Sequence, residues 1–527
     1  MGIPSYFSFL VKNHPSIIKK YVSNVLKVDN LYLDCNSIIY DAYSKMEFNE
    51  LTESVSISII RRVILKIEEY ISIIQPQKKI IIAFDGVAPV AKLEQQRGRR
   101  YKSWYQNEVS RSIFNKVTED VWNTAAITPG TKFMSDLNEL ISKHFSTCDE
   151  IIVSGSNHCG EGEHKLFEFI RNNPKKHRDE TTIIYGLDAD LIMLSINHLH
   201  ICPQIYLFRE TPHFIQSIDS SLEPDAHYYL DIPELTNTIV QYMNNDRILT
   251  EKQQIDTVSD YIFLCFFLGN DFLPHFPALN IRTGGIDKLL NAYKATLGET
   301  SENIMDGKTI LWGNLRKVIG FLANLEEQFI IKEHRSRNSK EHYVYPESTP
   351  QEKFKKFKAI PLYERQMEKY INPVKSDWQV RYYTGLFGNY NDELKHKVAI
   401  NYLEGLEWTM KYYSTSCPDW RWKYNFNYPP LLHDLMSVIP LYDKQFIVSK
   451  QPNPVTELVQ LCYVLPRNSL HLLPQKLHFE LIKRYEHWYK VNCNYIWAYC
   501  RYFWESHVEM DEINIDELEQ FIMNIKY

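Results

Sequence analysis

Asp188 and Asp190 stand two residues apart in Tyr185-Gly-Leu-Asp-Ala-Asp190, directly after the apolar run Thr182-Ile-Ile-Tyr185. The run reads as a short buried strand that stops at a glycine. In an open parallel sheet, the C-terminal edge of the strands is where ligands bind. No lysine or arginine separates the two carboxylates, so they repel one another. A hard divalent cation such as Mg²⁺ or Mn²⁺, which takes oxygen ligands, relieves that repulsion. Taken alone, the pair fits a turn capping the next helix equally well.

The same pattern recurs along the chain. Asn30-Leu-Tyr-Leu-Asp34 and Lys79-Ile-Ile-Ile-Ala-Phe-Asp85 are apolar runs that end in an acid, and Ile151-Ile-Val-Ser-Gly155 precedes Glu161 and Glu163 in Gly160-Glu-Gly-Glu-His-Lys165. A fifth contribution is Asp271, just past a buried helix over Tyr261–Leu268 that Gly269 closes. Asp34, Asp85, Glu161, Glu163, Asp188, Asp190 and Asp271 make seven carboxylates. If they converge, cations must hold them. Two divalent ions roughly 3.5–4 Å apart suit in-line phosphoryl transfer, one activating a water and the other stabilising the leaving oxygen. The alternative is a set of unrelated turn and cap residues. Near-continuous apolar runs alternating with helical stretches predict an α/β fold with a mostly parallel central sheet covered on both faces.

A basic segment begins seven residues after Asp85 and runs to Lys116. On a helix Lys92, Gln96, Arg99 and Arg100 share one face, and Arg97 points away. Two guanidinium forks, an ammonium and an amide there suit a terminal phosphate, for which bidentate geometry favours arginine. The plainer reading is a solvated charged helix.

The chain of 527 residues carries a net charge of −6, so nucleic-acid contact must come from a local patch. Nine cysteines without a Cys-x-x-Cys pair argue against a zinc ribbon or knuckle, and an odd count suits a reducing compartment. Neither a signal peptide, nor a myristoylation match, nor an apolar run of about 18 residues is evident. These features predict an intracellular monomer without a membrane span, with the cytoplasm favoured and the nucleus left open. Residues 1–27 read as helical, and so does 54–74, with Ile57, Ile60, Ile64, Ile67 and Ile71 in one stripe. The expected division is a catalytic region over 1–330, a polar linker or loop over 331–374, and an aromatic-rich, largely helical region over 375–527 packing on the first. A helix is expected over 395–413, and 470–527 is expected to be helical. Trp420 and Trp422 in Asp419-Trp-Arg-Trp-Lys-Tyr are candidates to stack a nucleobase, although core packing is the commoner fate of tryptophan.

With these residues assembled, the chain resembles the XRN family of 5′→3′ exoribonucleases. The likeness rests on the Met-Gly-Ile-Pro start, Asp34-Cys-Asn36, Phe84-Asp-Gly-Val-Ala-Pro89, Lys92–Arg100 and Thr128-Pro-Gly-Thr131. It extends to Gly160–Lys165, Tyr185–Asp190, Gly269-Asn-Asp-Phe-Leu-Pro-His275 and Trp420-Arg-Trp422. The resemblance implies a PIN-like core related to flap endonucleases, with conserved regions over about 1–330 and 375–470. It implies two Mg²⁺ on the seven acids, with Mn²⁺ able to substitute, and a grip by Lys92, Gln96, Arg99 and Arg100 on a 5′-monophosphate. Processive degradation of single-stranded RNA to nucleoside 5′-monophosphates would follow, with capped and triphosphate ends excluded. Tyr40 stands where family members usually have a histidine that stacks on the first base, and the opposing aromatic wall maps to Trp408, with Trp420 and Trp422 as alternatives. The zinc knuckle of nuclear members and the long C-terminal extension of cytoplasmic ones are absent. The rival readings are a flap-type 5′ DNA nuclease and an inactive RNA-binding scaffold.

Overall fold

The computed structural model describes residues 2–22, 26–46, 54–115, 122–186, 188–210, 222–223, 226–245, 247–300, 302–448 and 453–525. Met1, Lys116 and Leu187 of the motifs above lie outside the described residues.

Strands β1 (Ile18–Lys20), β2 (Asn30–Asp34), β3 (Lys79–Ala83), β4 (Ile151–Ser154), β5 (Thr182–Tyr185), β6 (Ile205–Glu210) and β7 (His227–Asp231) form one sheet. Their order is β1-β7-β6-β5-β2-β3-β4. The four pairings among β6, β5, β2, β3 and β4 are parallel, and β7 and β1 add on antiparallel at one edge. This is the expected α/β architecture. Alternation along the strands feeds two cores. Tyr32, Ile81 and Ile184 enter one, and Leu31, Leu33, Ile80, Ile82, Ile183 and Tyr185 enter the other. Buried on both faces, these strands read as unbroken apolar runs.

Register sets the site. Leu33 pairs with Ile82 and Tyr185, and Ala83 pairs with Ser154, so β5, β2, β3 and β4 end level. The chain proceeds from β2 to β3 and β4 on one side, and places β5 on the other. The crevice of this open sheet therefore lies at the β2/β5 switch point.

Several local expectations are corrected. The N-terminal segment is a helix only over Tyr6–Asn13. Pro15 opens a single 3₁₀ turn, and Ile18–Lys20 joins the sheet as an edge strand. In the helix Val55–Ile74 the buried stripe is Ile59, Ile60, Val63, Ile67, Tyr70 and Ile74, rotated from the isoleucine stripe. Residues 470–527 are not uniformly helical, since Asn494–Ile496 and His507–Glu509 pair as an antiparallel hairpin between helices Gln475–Tyr485 and Ile515–Asn524. The supposed linker is helical too. Trp312–Glu341 runs unbroken for 30 residues and is followed by helices Pro350–Lys358, Ile360–Tyr363 and Gln366–Ile371.

The linker expectation failed because several of the segment's charges are internal and paired, while others line the outer faces of its helices. Arg337 makes a bidentate pair with Glu368 at 2.7 and 2.8 Å and also donates to Cys500 O, while Glu368 receives Arg365 as well. Polar composition normally signals solvent, but buried charges are retained when paired. One apolar core runs from Tyr6 through the sheet to Tyr402, Leu432 and Tyr499, so the aromatic-rich region closes over one face of the sheet. A further cluster, Val459–Phe521, packs against Val87, Val90 and Leu93. No described helix is long and apolar enough to cross a membrane.

Removing Glu368 as Glu368→Ala strands two buried guanidinium groups. It should cost about 3–5 kcal/mol, read as a lower urea midpoint at an unchanged slope. Glu326 provides a second test. Burial pushes its carboxyl up to about 8, against the pull of amide donors from Leu432 and His433. The folded chain holds that proton more tightly than the unfolded one. The associated stability is therefore whole below about pH 4.5 and is lost as pH rises towards about 8. Across that window the wild type should lose more stability in denaturant titrations than Glu326→Gln, which has no proton to lose.

Candidate metal centre and phosphate pocket

Each acid owes its place to a strand end or a cap. Asp34 is the last residue of β2, and Asp85 lies two residues past β3. Asn36 holds Asp85 at both ends, its Nδ2 donating to Oδ2 at 2.5 Å and its Oδ1 accepting from the Asp85 amide at 3.1 Å. Glu161 is the N-cap of the helix Gly162–Asn172, and Glu163 lies in its first turn. Asp188 and Asp190 hold the same two positions on the helix Ala189–His198. Acids suit helix N-termini because the free amides and the macrodipole favour negative charge. The Gly162 amide shows this directly, donating to Asp85 Oδ1 at 2.7 Å. Lys165, one turn on, ties the ends of β3 and β4 together by donating to Phe84 O and Gly155 O.

Asp271 arrives from the far side of the fold. The helix Glu251–Cys265 tightens into a 3₁₀ turn that ends at Gly269. Gly269 has φ +85°, and a Cβ there would stand 2.8 Å from the His275 amide. The Asn270 side-chain Oδ1 then accepts from the backbone amides of Phe272 and Leu273, and this turn presents Asp271.

The seven groups repel one another as one set. Burial, then Asp85 and Asp188, push Asp34 well above its ordinary value. Burial, then Asp190 and Glu161, do the same to Glu163. Burial, then Asp271, raise Asp190 to about 6. Glu161 is also raised by burial, although Lys92 opposes it. Asp188 and Asp271 are the exceptions, both held below their ordinary values by nearby cations. Burial pushes Asp271 up, but the cations around it, Lys92 first among them, together hold it below the usual range. Lys92 touches Asp271 Oδ2 at 2.7 Å and pairs with Glu161. Among the described residues, Lys92 is the ammonium that pairs with these acids, and it meets two of the seven. Asp34 Oδ1 is buried and accepts no hydrogen bond. An oxygen without a partner amid like charges is a ligand set suited to hard divalent cations. Among the described residues, Glu161, Glu163 and His164 also bring ligand atoms within 4.8 Å of one another.

The basic helix Val90–Phe114 divides its cations among three tasks. Lys92 sits in the acid cluster and not in a pocket with the arginines. Arg97 is buried away from it, donating to Trp488 O and Asp511 O. Arg99 and Arg100 line a cavity of about 950 Å³ together with Tyr40, Ser103, Asn107 and Arg111. Arg100 is held by Thr128 Oγ1 at 2.6 Å, its Nε has no partner, and burial lowers it to about 10. The Thr128-Pro-Gly-Thr131 turn thus orients a guanidinium, a role its sequence does not advertise. Gln96 is half-buried and does not line the cavity. Tyr40 is 40% exposed and free to offer a ring face.

Trp408 must be corrected as the opposing wall. It has no exposed surface, its indole donates to Asp419 O, and Phe272, Tyr412 and Trp422 pack around it. Trp422 is buried too, stacked on Trp408 with its indole donating to Glu404. Trp420 keeps exposed surface, and its carbonyl accepts from the Val90 amide at the start of the basic helix. Tyr412 and Tyr413 are the residues that sequence reasoning missed. They donate to Glu161 and Asp190, and nothing in their helical spacing distinguishes them from core tyrosines.

A Cβ on Gly162 would stand 2.7 Å from Asp34 Oδ1. Gly162→Ala should therefore fold but weaken Mn²⁺ uptake about ten-fold or more, measured by electron paramagnetic resonance of the free ion.

Residues 1–211 match the family profile described as "XRN 5'-3' exonuclease N-terminus", and residues 252–373 and 348–484 match "Xrn1 helical domain". The chain is 25% identical to 5'-3' exoribonuclease 2 of Arabidopsis thaliana, over 90% of this chain and 62% of that protein. It is 24% identical to the Drosophila melanogaster homolog of that protein, over 90% and 65%. To 5'-3' exoribonuclease 1 of Saccharomyces cerevisiae it is 26% identical, over 90% and 40%. It therefore spans less than two thirds of the length of these curated relatives. Its likeness to them covers both the strand-end acids and the helical region that closes over them, and the chain belongs to the XRN family of 5′-3′ exonucleases.

Proposed function

We propose that this chain is a 5′→3′ exoribonuclease that shortens 5′-monophosphorylated, single-stranded RNA processively and releases nucleoside 5′-monophosphates. The observation that carries this reading is the seven-acid cluster at the start of a helix whose next turns line the Arg99/Arg100/Tyr40 cavity. The names of the relatives support it, as does their coverage of 90% of the chain.

Asp34, Asp85, Glu161, Glu163, Asp188, Asp190 and Asp271 would hold two Mg²⁺, or Mn²⁺ in their place. Bound there, the cations would supply an activated water and stabilise the leaving 3′-oxygen. The chain's own residues do the rest. Arg99 and Arg100 take the terminal phosphate through charge-assisted hydrogen bonds, with Thr128 pre-orienting Arg100. Lys92, inside the acid cluster, offsets part of the carboxylates' charge beside the reacting phosphate. Tyr40 stacks on the first base, and Trp420 takes the facing role that burial denies Trp408. A terminal phosphate gripped at fixed distance from the acids sets the cut one nucleotide in. A cap or triphosphate would not fit the same grip. Residues 1–330 and 375–527 act as one catalytic unit on this reading.

The test uses one RNA labelled at its 3′ end and carrying a 5′-monophosphate, 5′-triphosphate or 5′-hydroxyl, with a matched DNA. The monophosphate RNA alone should disappear rapidly with Mg²⁺, and Asp190→Ala should abolish the loss. Arg100→Ala should erode the monophosphate preference by about 10²-fold. Equal attack on all three ends would remove the pocket assignment. Preference for flapped DNA would replace the substrate, and binding without cleavage would leave an RNA-binding scaffold.

A further inference from the structure

Two neighbouring tyrosines of the helix Asp392–Ser414 reach into the acid cluster from the second region of the chain. Tyr412 donates to Glu161 Oε1 at 2.9 Å, and Tyr413 donates to Asp190 Oδ1 at 2.6 Å. Both rings and both carboxyl groups are buried. Glu161 follows β4 and Asp190 follows β5, which lie on opposite sides of β2. A single step of one helix therefore braces acids that come from the two sides of the crevice.

The rings are themselves fixed. Tyr412 stacks on His164 at 3.7 Å and leans on Trp408 at 4.9 Å. Tyr413 packs edge-on against Phe266 at 5.4 Å and His164 at 5.8 Å. A phenol held this rigidly dictates the rotamer of the carboxyl that accepts from it. It occupies one lone pair of one oxygen and leaves the rest of the group aimed. Core satisfaction alone does not require an acidic partner. Tyr402, on the same helix and equally buried, donates to the backbone oxygen of Pro274 at 3.0 Å. The two phenols next to the crevice instead meet two of the acids.

We propose that Tyr412 and Tyr413 are positioning residues that preset Glu161 and Asp190 for a divalent cation, so that the second region completes the metal centre of the first. This rests on the reading that the acids hold cations. Residues that orient metal ligands typically matter for affinity by about 10–100-fold when removed.

The experiment measures Mn²⁺ binding to the full chain by electron paramagnetic resonance of the free ion, without substrate. Tyr412→Phe and Tyr413→Phe keep the rings and remove only the hydroxyls, and circular dichroism checks that each variant is folded. Each should raise the Mn²⁺ Kd about ten-fold or more. Tyr402→Phe, which loses an equally buried phenol, should leave Kd unchanged within about two-fold. In an Asp190→Asn background, Tyr413→Phe should add no further loss, because their effects share one contact. Wild-type affinity in both phenylalanine variants would overturn the assignment, as would a full additional loss in the Asp190→Asn background. Wild-type protein that takes up no Mn²⁺ would overturn the cation reading itself, and this proposal with it. A destabilised variant that keeps wild-type affinity would leave the tyrosines a packing role only, and the proposal would fail.

Discussion

Seven carboxyl groups share one end of a parallel sheet, and their mutual repulsion is the constraint around which the molecule is built. Burial and neighbouring acids push Asp34, Glu163 and Asp190 up, so the cluster resists its own charge. What keeps it assembled is partly the level ends of β5, β2, β3 and β4. Helix N-termini under Glu161, Glu163 and Asp190 favour negative charge as well. Lys92 completes the arrangement by meeting Asp271 and Glu161. A set of acids held this closely resists its own charge, and a hard cation would relieve that repulsion.

The basic helix Val90–Phe114 transmits that arrangement to the rest of the chain. Lys92 faces the acids, Arg99 and Arg100 face a cavity, and Arg97 is sunk into the C-terminal region through Trp488 O and Asp511 O. Glu94, on the same helix, accepts from Tyr463 and pairs with Lys423. These contacts make the C-terminal region a support for the helix that carries Arg99 and Arg100. A mutation near Trp488 should thus be felt through the register of this helix, although it lies far along the chain from Arg99.

Much of the sheet and of the acid set was legible from the residues because both follow local rules. An apolar run of four or five residues between turn signals is a buried strand, and Asp34, Asp85, Asp188 and Asp190 each sit at the end of one. Gly269 before Asp271 was readable for the same reason. The errors share a cause as well. The 331–374 segment looked like a linker because Lys332–Lys358 is polar, charged and broken by prolines, and composition cannot tell a charge paired inside, such as Arg337 on Glu368, from one in water. Trp408 was expected as a stacking platform because the family's aromatic wall maps to it, and a place in the sequence carries no mark of how much of a ring will be covered.

The amino-acid sequence by itself determined the central parallel strands, the acids at or just past their ends, the family likeness and the presence of a basic helix next to the acids, since these depend on neighbours within a few residues. Only the tertiary structure decided which face each cation takes, that Tyr412 and Tyr413 meet Glu161 and Asp190 across more than two hundred residues, and that Trp420, not Trp408, keeps an exposed surface. The physical reason is that burial and partner choice are set by what the rest of the chain packs against a side chain, and local spacing carries no record of that.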